Sequence, residues 1–504
     1  MRCSVAGHCP GSPRGSAASK PSYEKRQPEK TLLYQTVQEH MATFLDQCEA
    51  LGRPVPEFVK KEFEAYLRCG ILAHGFARVY CADCRYDRLV AFSCKKRGFC
   101  GSCMARRMSE TAAYLVEAVV PEIPTRQWVL SVPAPLRFLI AYDNEALNVV
   151  LDAFIKTVSS WLRKKAKEDG AASQRQRAYA GAVTFIQRFG SALNLNTHMH
   201  TVFSDGVFVE NASGFVTFHR TPAPTLEEIR AITEKIVRKV HRWLEKQAEE
   251  AGDAETFAEK EPLLAACYGA SIRYLTALGS QAWQPLMRVF STPPEGKSDR
   301  DERTVAGFNL HVSIPIEAHD RRGLERQLRY MGRPPLSEER LTKTADGRIV
   351  VRLKSAWGDG TTHQILQPLE FIERLVALVP PPRKNQVRYH GVFAPNASLR
   401  EEIVPTPESG EPQPKTAPVE AAEPGHPTRK RLGWAKLMAR VFGIDVIECP
   451  RCKSKLQVLS FITEPDVIKN ILKSLGMATA PPEMARSGFK SEQTDFVYDY
   501  DYAQ

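Results

Sequence analysis

Two histidines flank one methionine in SALNLNTHMHTVFSDGVF (191–208), and four cysteines fall into CADC (81–84) and CGSC (100–103). On a strand, residues i and i+2 face the same way, so His198 and His200 would project together while Met199 turns into the core. Two parallel imidazoles are half of a metal site. An HxH pair also arises without a metal, so the rest of the chain has to decide. Leu193, Leu195, Val202 and Phe203 supply β-type context, and Ser204, Asp205 and Gly206 read as a hairpin turn into Val207 to Val209. The cysteines follow C-x2-C-x15-C-x2-C. Each CxxC puts two thiolates on one tight knuckle, and two knuckles complete a tetrahedral zinc shell from Cys81, Cys84, Cys100 and Cys103. Buried thiols or a redox pair would not explain two knuckles at that spacing. Cys69, His74 and Cys94 lie near enough to replace a ligand or to form a second site. CPRC at 449–452 is half a knuckle with no second pair downstream, and it is assigned no metal.

The elements that must hold these residues follow from periodicity. Residues 1–30 are rich in Ser, Gly, Pro and Lys and are expected to be disordered. Residues 31–107 read as amphipathic helix followed by the cysteine-rich, zinc-binding module. A short helix is expected over Met108–Val120, then a strand in RQWVLSVP and a long helix in ALNVVLDAFIKTVSSWLRKKAKE. AVTFIQRF and NTHMHTVF read as neighbouring strands, VFVE and FVTFH as two more, and NLHVSIPI as another, with helices over Leu226–Glu250 and Glu261–Ala277. The pattern predicts an α+β domain over 108–400 with a central antiparallel sheet flanked by helices. A Pro- and Glu-rich linker follows over 401–430, then a small C-terminal module over 431–504 with Trp434, Leu437, Val441 and a frayed tail.

The chain has 504 residues, 69 basic and 58 acidic, for a net charge of +11. That balance suits a polyanionic partner. The basic residues cluster in KKRGFCGSCMARR (Lys95, Lys96, Arg97, Arg106, Arg107), in RKVHRW at 238–243 and in RRGLERQLRYMGR at 321–333. The plainest account of any one cluster is a solvated face; around the knuckles it is a surface that grips DNA and positions it. No apolar run reaches the length of a membrane span, and the N-terminus lacks the apolar segment of a secretory signal, so the expected compartment is the cytoplasm. Twelve cysteines there argue for metal ligation or buried thiols over disulfides.

HGFARVYCADCRYDRLVAFSCKKRGFCGSC, RQWVLSVPAPLRFL, FIQRFGSALNLNTHMH, RYMGRPPLSEERL and WGDGTTHQILQPLEFIERLVALVPPPRKNQVRYHGVFAPNA occur in this order. Together they resemble the rolling-circle insertion-sequence transposases of the HUH nuclease type (Y2, IS91-like), and within them the common-region ISCR-type subgroup. The resemblance covers roughly residues 31–400 and a tail near 430–460. It implies that His198 and His200 hold a divalent Mg2+ or Mn2+, that a tyrosine attacks a DNA phosphate, and that a 5′-phosphotyrosine remains beside a free 3′-OH. Gln187, on the strand before the HxH strand, is the best third ligand under this resemblance; it could equally be a buried amide that satisfies backbone groups. Tyr330 is the implied nucleophile. Asp320 can cap its helix and Pro334 can end it, Leu324, Leu328 and Met331 form its buried stripe, and Arg326 and Arg333, at i−4 and i+3, share its face. Two-tyrosine members carry a second tyrosine one turn away, but here position 326 is Arg and 334 is Pro, with Tyr389 a distant alternative. The expected partners are single-stranded element ends and, because no GxxxxGK[ST] pattern is present, a host helicase. A catalytically degenerate zinc-ribbon DNA-binding protein, or a plasmid relaxase or replication initiator, would share parts of this pattern.

Overall fold

The computed structural model describes residues 26–173, 176–211, 213–250, 255–291, 303–404 and 448–489. The expectations for residues 1–25, for most of the Pro-rich stretch and for Trp434, Leu437 and Val441 lie outside the described residues.

In the N-terminal module, Thr31 Oγ1 accepts from the Tyr34 amide and starts α1 (Leu32–Ala50), which buries Leu33, Val37, Met41, Phe44 and Cys48 at helical spacing. Helix α2 (Glu57–Arg68) turns Phe63 and Tyr66 onto Phe99, with ring centroids 4.7 and 5.0 Å away. Strands β1 (Phe76–Tyr80) and β2 (Asp87–Ala91) form a hairpin across the CADC knuckle. Helix α3 (Gly101–Ala118) begins inside the second knuckle, earlier than the expected Met108, with Cys100 at its N-cap and Cys103 in its first turn.

The central domain opens with β3 (Thr125–Ser131), α4 (Ala134–Tyr142) and α5 (Asn144–Glu168), the last capped by Asp143. Next come β4 (Ala178–Tyr179), β5 (Gly181–Phe189), β6 (Leu195–Ser204), β7 (Gly206–Glu210) and β8 (Val216–Arg220). Helices α6 (Leu226–Glu250), α7 (Phe257–Lys260) and α8 (Pro262–Arg273) precede β9 (Met287–Phe290), β10 (Thr304–Val305) and β11 (Phe308–Val312). Helix α9 (Arg321–Met331) is followed by β12 (Leu341–Lys343), β13 (Ile349–Arg352), β14 (Thr361–Leu366), α10 (Pro368–Leu378), β15 (Val387–Gly391) and α11 (Arg400–Ile403).

The main sheet is antiparallel with strand order β10-β11-β3-β6-β5-β15. Its two faces are filled differently because strand alternation splits each sequence. On the rear face Trp128, Leu130, Ile186, Met199, Phe203 and Leu310 pack on the apolar stripes of α5 and α6. On the front face Val183, Phe185 and Val202 meet α3 and the Leu324, Leu328 and Met331 stripe of α9. The seam between α3 and α9 is fixed by Arg321, whose guanidinium donates to Val120 O (2.7 Å), Pro121 O (2.9 Å) and Val116 O at the end of α3. That charge is therefore committed to helix packing rather than to a free basic face.

Ser204-Asp205-Gly206 is not the expected hairpin turn. β7 leaves the main sheet for a separate three-stranded one, β4-β7-β8. Buried Asp205 holds this bend: it accepts from Arg126 Nε (2.6 Å) and Nη2 (3.0 Å), while its amide donates to Pro124 O and its carbonyl accepts from the Thr221 amide. A further antiparallel sheet, β12-β13-β14-β9, lies beyond α9.

The described part of the C-terminal region returns to the N-terminal module. β16 (Gln457–Ile462) pairs antiparallel with β1, and α12 (Pro465–Ser474) seats Ile468 and Leu472 against Leu72 and Phe76. Among the described residues no helix is long and apolar enough to cross a membrane.

Candidate functional site

β6 supplies the centre of the site. His198 and His200 face the front of the sheet and buried Met199 the rear, as alternation requires. The His198 Nδ1–H donates to Asn196 O at 2.7 Å, which leaves its Nε2 lone pair free to accept. His200 Nε2 lies 2.9 Å from that atom, and its Nδ1 is 2.7 Å from Gln127 Nε2. Burial pushes the His198 pKa down to about 4, with nearby Arg333 and Arg137 adding to the fall. Burial, then His198, pushes His200 to about 2. Both rings are neutral near pH 7, the state in which an imidazole ligates a cation.

Gln187 on β5 pairs directly with His198 on β6 and so shares its face. Its Nε2 donates to Met331 O at 2.5 Å and Tyr330 O at 3.4 Å, which fastens the end of α9 to the sheet. Its Oε1 is buried and has no hydrogen-bond partner among the described residues. Leaving such an acceptor unpaired costs about 1–3 kcal/mol. A carbonyl-type oxygen and two neutral imidazoles are donors of the kind that ligate a divalent cation.

Tyr330 lies in the last turn of α9 with its ring 6.1 Å from His200, nearly perpendicular to it, and is 41% exposed. Arg333 lies over the ring at 4.2 Å and Lys354 at 4.4 Å, and Lys354 Nζ reaches the phenol oxygen at 3.4 Å. Burial pulls the phenol pKa up, but Arg333 and Lys354 outweigh it and hold it below its ordinary value. Arg326 is not brought to the ring: it is well exposed, with its guanidinium 3.9 Å from the Asp320 carboxylate that caps the helix. Tyr389 sits on β15 opposite Val183 and packs in the front apolar cluster. Gln127 and Lys354 are parts that sequence reading missed. Gln127 lies in RQWVLSVPAPLRFL but nothing local marks it as a partner of His200, and Lys354 comes from the loop after β13, so only the tertiary fold brings either to the site.

Two openings reach this point. Tyr330, Arg326 and Gln327 line a groove along Ser313–Asp320. Arg333 and Gln187 line a second cavity whose other wall carries Arg97 and Arg107 from the flanks of the second knuckle.

The expected four-cysteine set does not form. Cys81 and Cys84 are not beside Cys100 and Cys103. Instead Cys69, Cys94, Cys100 and Cys103 make one cluster, and Cys81, Cys84, Cys449 and Cys452 make another, the four sulfurs of each lying within 4.8 Å of one another. The reason is the β1–β2 hairpin, which carries the CADC knuckle away from the α3 N-terminus and toward the returning C-terminal segment. In the first cluster Sγ–Sγ distances are 3.3 Å (Cys94–Cys103) and 3.7 Å (Cys69–Cys103 and Cys69–Cys100). A tetrahedral zinc with arms of about 2.3 Å sets its sulfurs about 3.8 Å apart, so the cluster fits that ion.

Residues 181–401 match the Y2_Tnp transposase family, and residues 36–132 match the transposase zinc-binding domain of the IS91 type. No curated protein and no solved structure matches the chain.

Proposed function

Because the chain belongs to the IS91-like Y2 transposases and carries their zinc-binding domain, we propose that it nicks and rejoins single-stranded DNA through Tyr330. The observation that carries this reading is that a phenol of lowered pKa, two neutral imidazoles and an unpaired amide oxygen lie side by side on the front face. A protein that only bound DNA would gain nothing from a bare Gln187 Oε1, which costs stability unless a ligand meets it.

In this reading the Tyr330 oxygen forms a bond to the scissile phosphorus as the P–O3′ bond breaks. The phenol proton goes to solvent, the departing 3′ oxygen takes a proton, and the 5′-phosphate stays on the tyrosine. Because one phosphoester replaces another, a later 3′-OH can reverse the step without ATP. His198, His200 and Gln187 would hold a divalent cation, whose chemistry there would be polarisation of the phosphoryl oxygen. Arg333 faces the developing charge, while Lys354 keeps the phenol acidic and so acts as a positioning residue. Gln127 holds the His200 ring. Cys69, Cys94, Cys100 and Cys103 bind the structural zinc that fixes the start of α3, and Arg97 and Arg107 beside it guide the strand toward Tyr330. Duplex ends would be opened by a host helicase.

The test is cleavage of single-stranded oligonucleotides carrying the element's ends, with Mn2+, with Mg2+ and with chelator. Metal-dependent nicking that leaves a free 3′-OH supports the reading; binding without nicking under every condition refutes it in favour of a DNA-binding protein that does not cleave. Within that assay Arg333→Ala is expected to slow nicking by about two to three powers of ten, because one charge-stabilising donor is lost. Lys354→Ala is expected to act through pH. The nicking rate rises as the phenol ionises, so removing Lys354 should move the rising limb to higher pH and leave the high-pH plateau near wild type. An unmoved limb would remove Lys354 from the site.

A further inference from the structure

We infer that Cys81, Cys84, Cys449 and Cys452 bind a second zinc ion, which clasps the C-terminal segment onto the N-terminal module. The family match to a zinc-binding domain ends at residue 132, so it does not reach two of these four ligands.

The four sulfurs lie within 4.8 Å of one another, with Cys81–Cys452 and Cys84–Cys449 each at 3.4 Å. That is close to the edge of a thiolate tetrahedron around zinc. The two halves are built alike. The Cys81 amide donates to Tyr86 O at 2.8 Å and the Cys449 amide to Ser454 O at 2.7 Å, so each CxxC closes the same kind of turn, from residue i to i+5. The residue after each second cysteine is left-handed, Arg85 at φ 58° and Lys453 at φ 67°. Neither is glycine, so both turns hold a strained conformation. Two like knuckles far apart in the sequence, with their four sulfurs gathered together at the protein surface, have a common purpose in one ion. Val79, Tyr86 and Leu456 pack round them, and Arg451 lies over the Tyr86 ring at 5.0 Å.

The segment needs such a clasp. In residues 448–489 the buried apolar side chains are Cys449, Leu456, Ile468 and Leu472. That is little burial to order 42 residues, the span from 448 to 489 counted inclusively. Yet the segment is ordered: β16 extends β1, and beyond α12 the Ala485 amide donates to Gln38 O and the Gly488 amide to Thr43 Oγ1 on α1. A metal joining residues 84 and 449 restricts a very long loop in the unfolded chain, the case in which a cross-link removes most entropy.

The inference is independent of the nuclease chemistry, since its readouts are metal content and segment order. The experiment uses the full-length chain. Elemental analysis of wild type is expected to give two zinc per chain, and of Cys449→Ser/Cys452→Ser one, with α3 still protected in hydrogen exchange. In the same variant the amides of 457–462 should exchange faster by about tenfold or more. Cys94→Ser serves as the converse, losing the other ion. One zinc in wild type, two in the double variant, or unchanged protection of 457–462 would each overturn the clasp.

Discussion

Tyr330→Phe is expected to abolish the covalent protein–DNA adduct and leave the fold intact. The substitution removes one oxygen from a ring that is 41% exposed. At that oxygen Lys354 Nζ approaches to 3.4 Å and Arg333 also bonds, while the ring's seat against His200 and beneath Arg333 is carbon surface that phenylalanine keeps. Leu324, Leu328 and Met331, which hold α9 on the sheet, are untouched. Thermal stability should therefore stay within about 1 kcal/mol of wild type, the ordinary effect of a substitution away from the core. The chemistry has no such reserve. Helix α9 holds one tyrosine, with Arg at 326 and Pro at 334, so no neighbouring phenol can take over. Losing a covalent nucleophile costs at least about four powers of ten in rate. A strand labelled 3′ of the nick should become attached to wild type, one strand per chain, and not detectably to the variant. An adduct that persists in Tyr330→Phe, or that maps to Tyr389, would assign the attack to another residue while leaving the metal site standing.

How far the sequence could lead is visible residue by residue. The direction of His198 and His200 was legible because strand alternation is a local rule, and so was the burial of Leu324, Leu328 and Met331, because helical spacing is local too. Pairing AVTFIQRF with NTHMHTVF was enough to set Gln187 opposite His198. The cysteines show where local rules stop. C-x2-C-x15-C-x2-C is a correct count of thiols, but which knuckles meet depends on the hairpin between them and on a strand that returns from residue 457. Lys354 reaches Tyr330 from 24 residues away, and Asp205 turns a plausible hairpin into a change of sheet because Arg126 waits on β3. In each case a long-range partner overrode a reasonable short-range reading, and nothing in the short-range sequence carries that partner's position.

His198→Ala and His200→Ala are each expected to bring nicking below detection while DNA binding stays close to wild type. The two functions use different atoms. In the proposed reading grip comes from basic side chains such as Arg97 and Arg107 on the cavity wall, which bond to the Lys384 and Lys95 carbonyls and not to an imidazole. The slope of log affinity against log salt counts phosphate contacts, so it should be the same in wild type and both variants. Cleavage, as proposed, uses imidazoles whose Nε2 atoms lie 2.9 Å apart and which stay neutral because burial holds both pKa values low. With one ring gone, the remaining imidazole and Gln187 are too few donors to hold a divalent cation at working concentrations, and Mn2+ titration should show the loss directly. His200→Ala also strands Gln127 Nε2, a buried donor, at a cost of about 1–3 kcal/mol, so it should melt lower than His198→Ala, whose partner is the carbonyl of half-buried Asn196. Gln187→Ala should fall between wild type and these variants: it keeps both imidazoles but loses the third donor and the two bonds to the end of α9, so weaker Mn2+ binding should accompany a slower rate. Partial rescue of Gln187→Ala by excess Mn2+, with none for His200→Ala, would separate the ligand that completes the site from those that found it. A His200→Ala protein that nicks at the wild-type rate would show that the paired histidines are not where the cation acts.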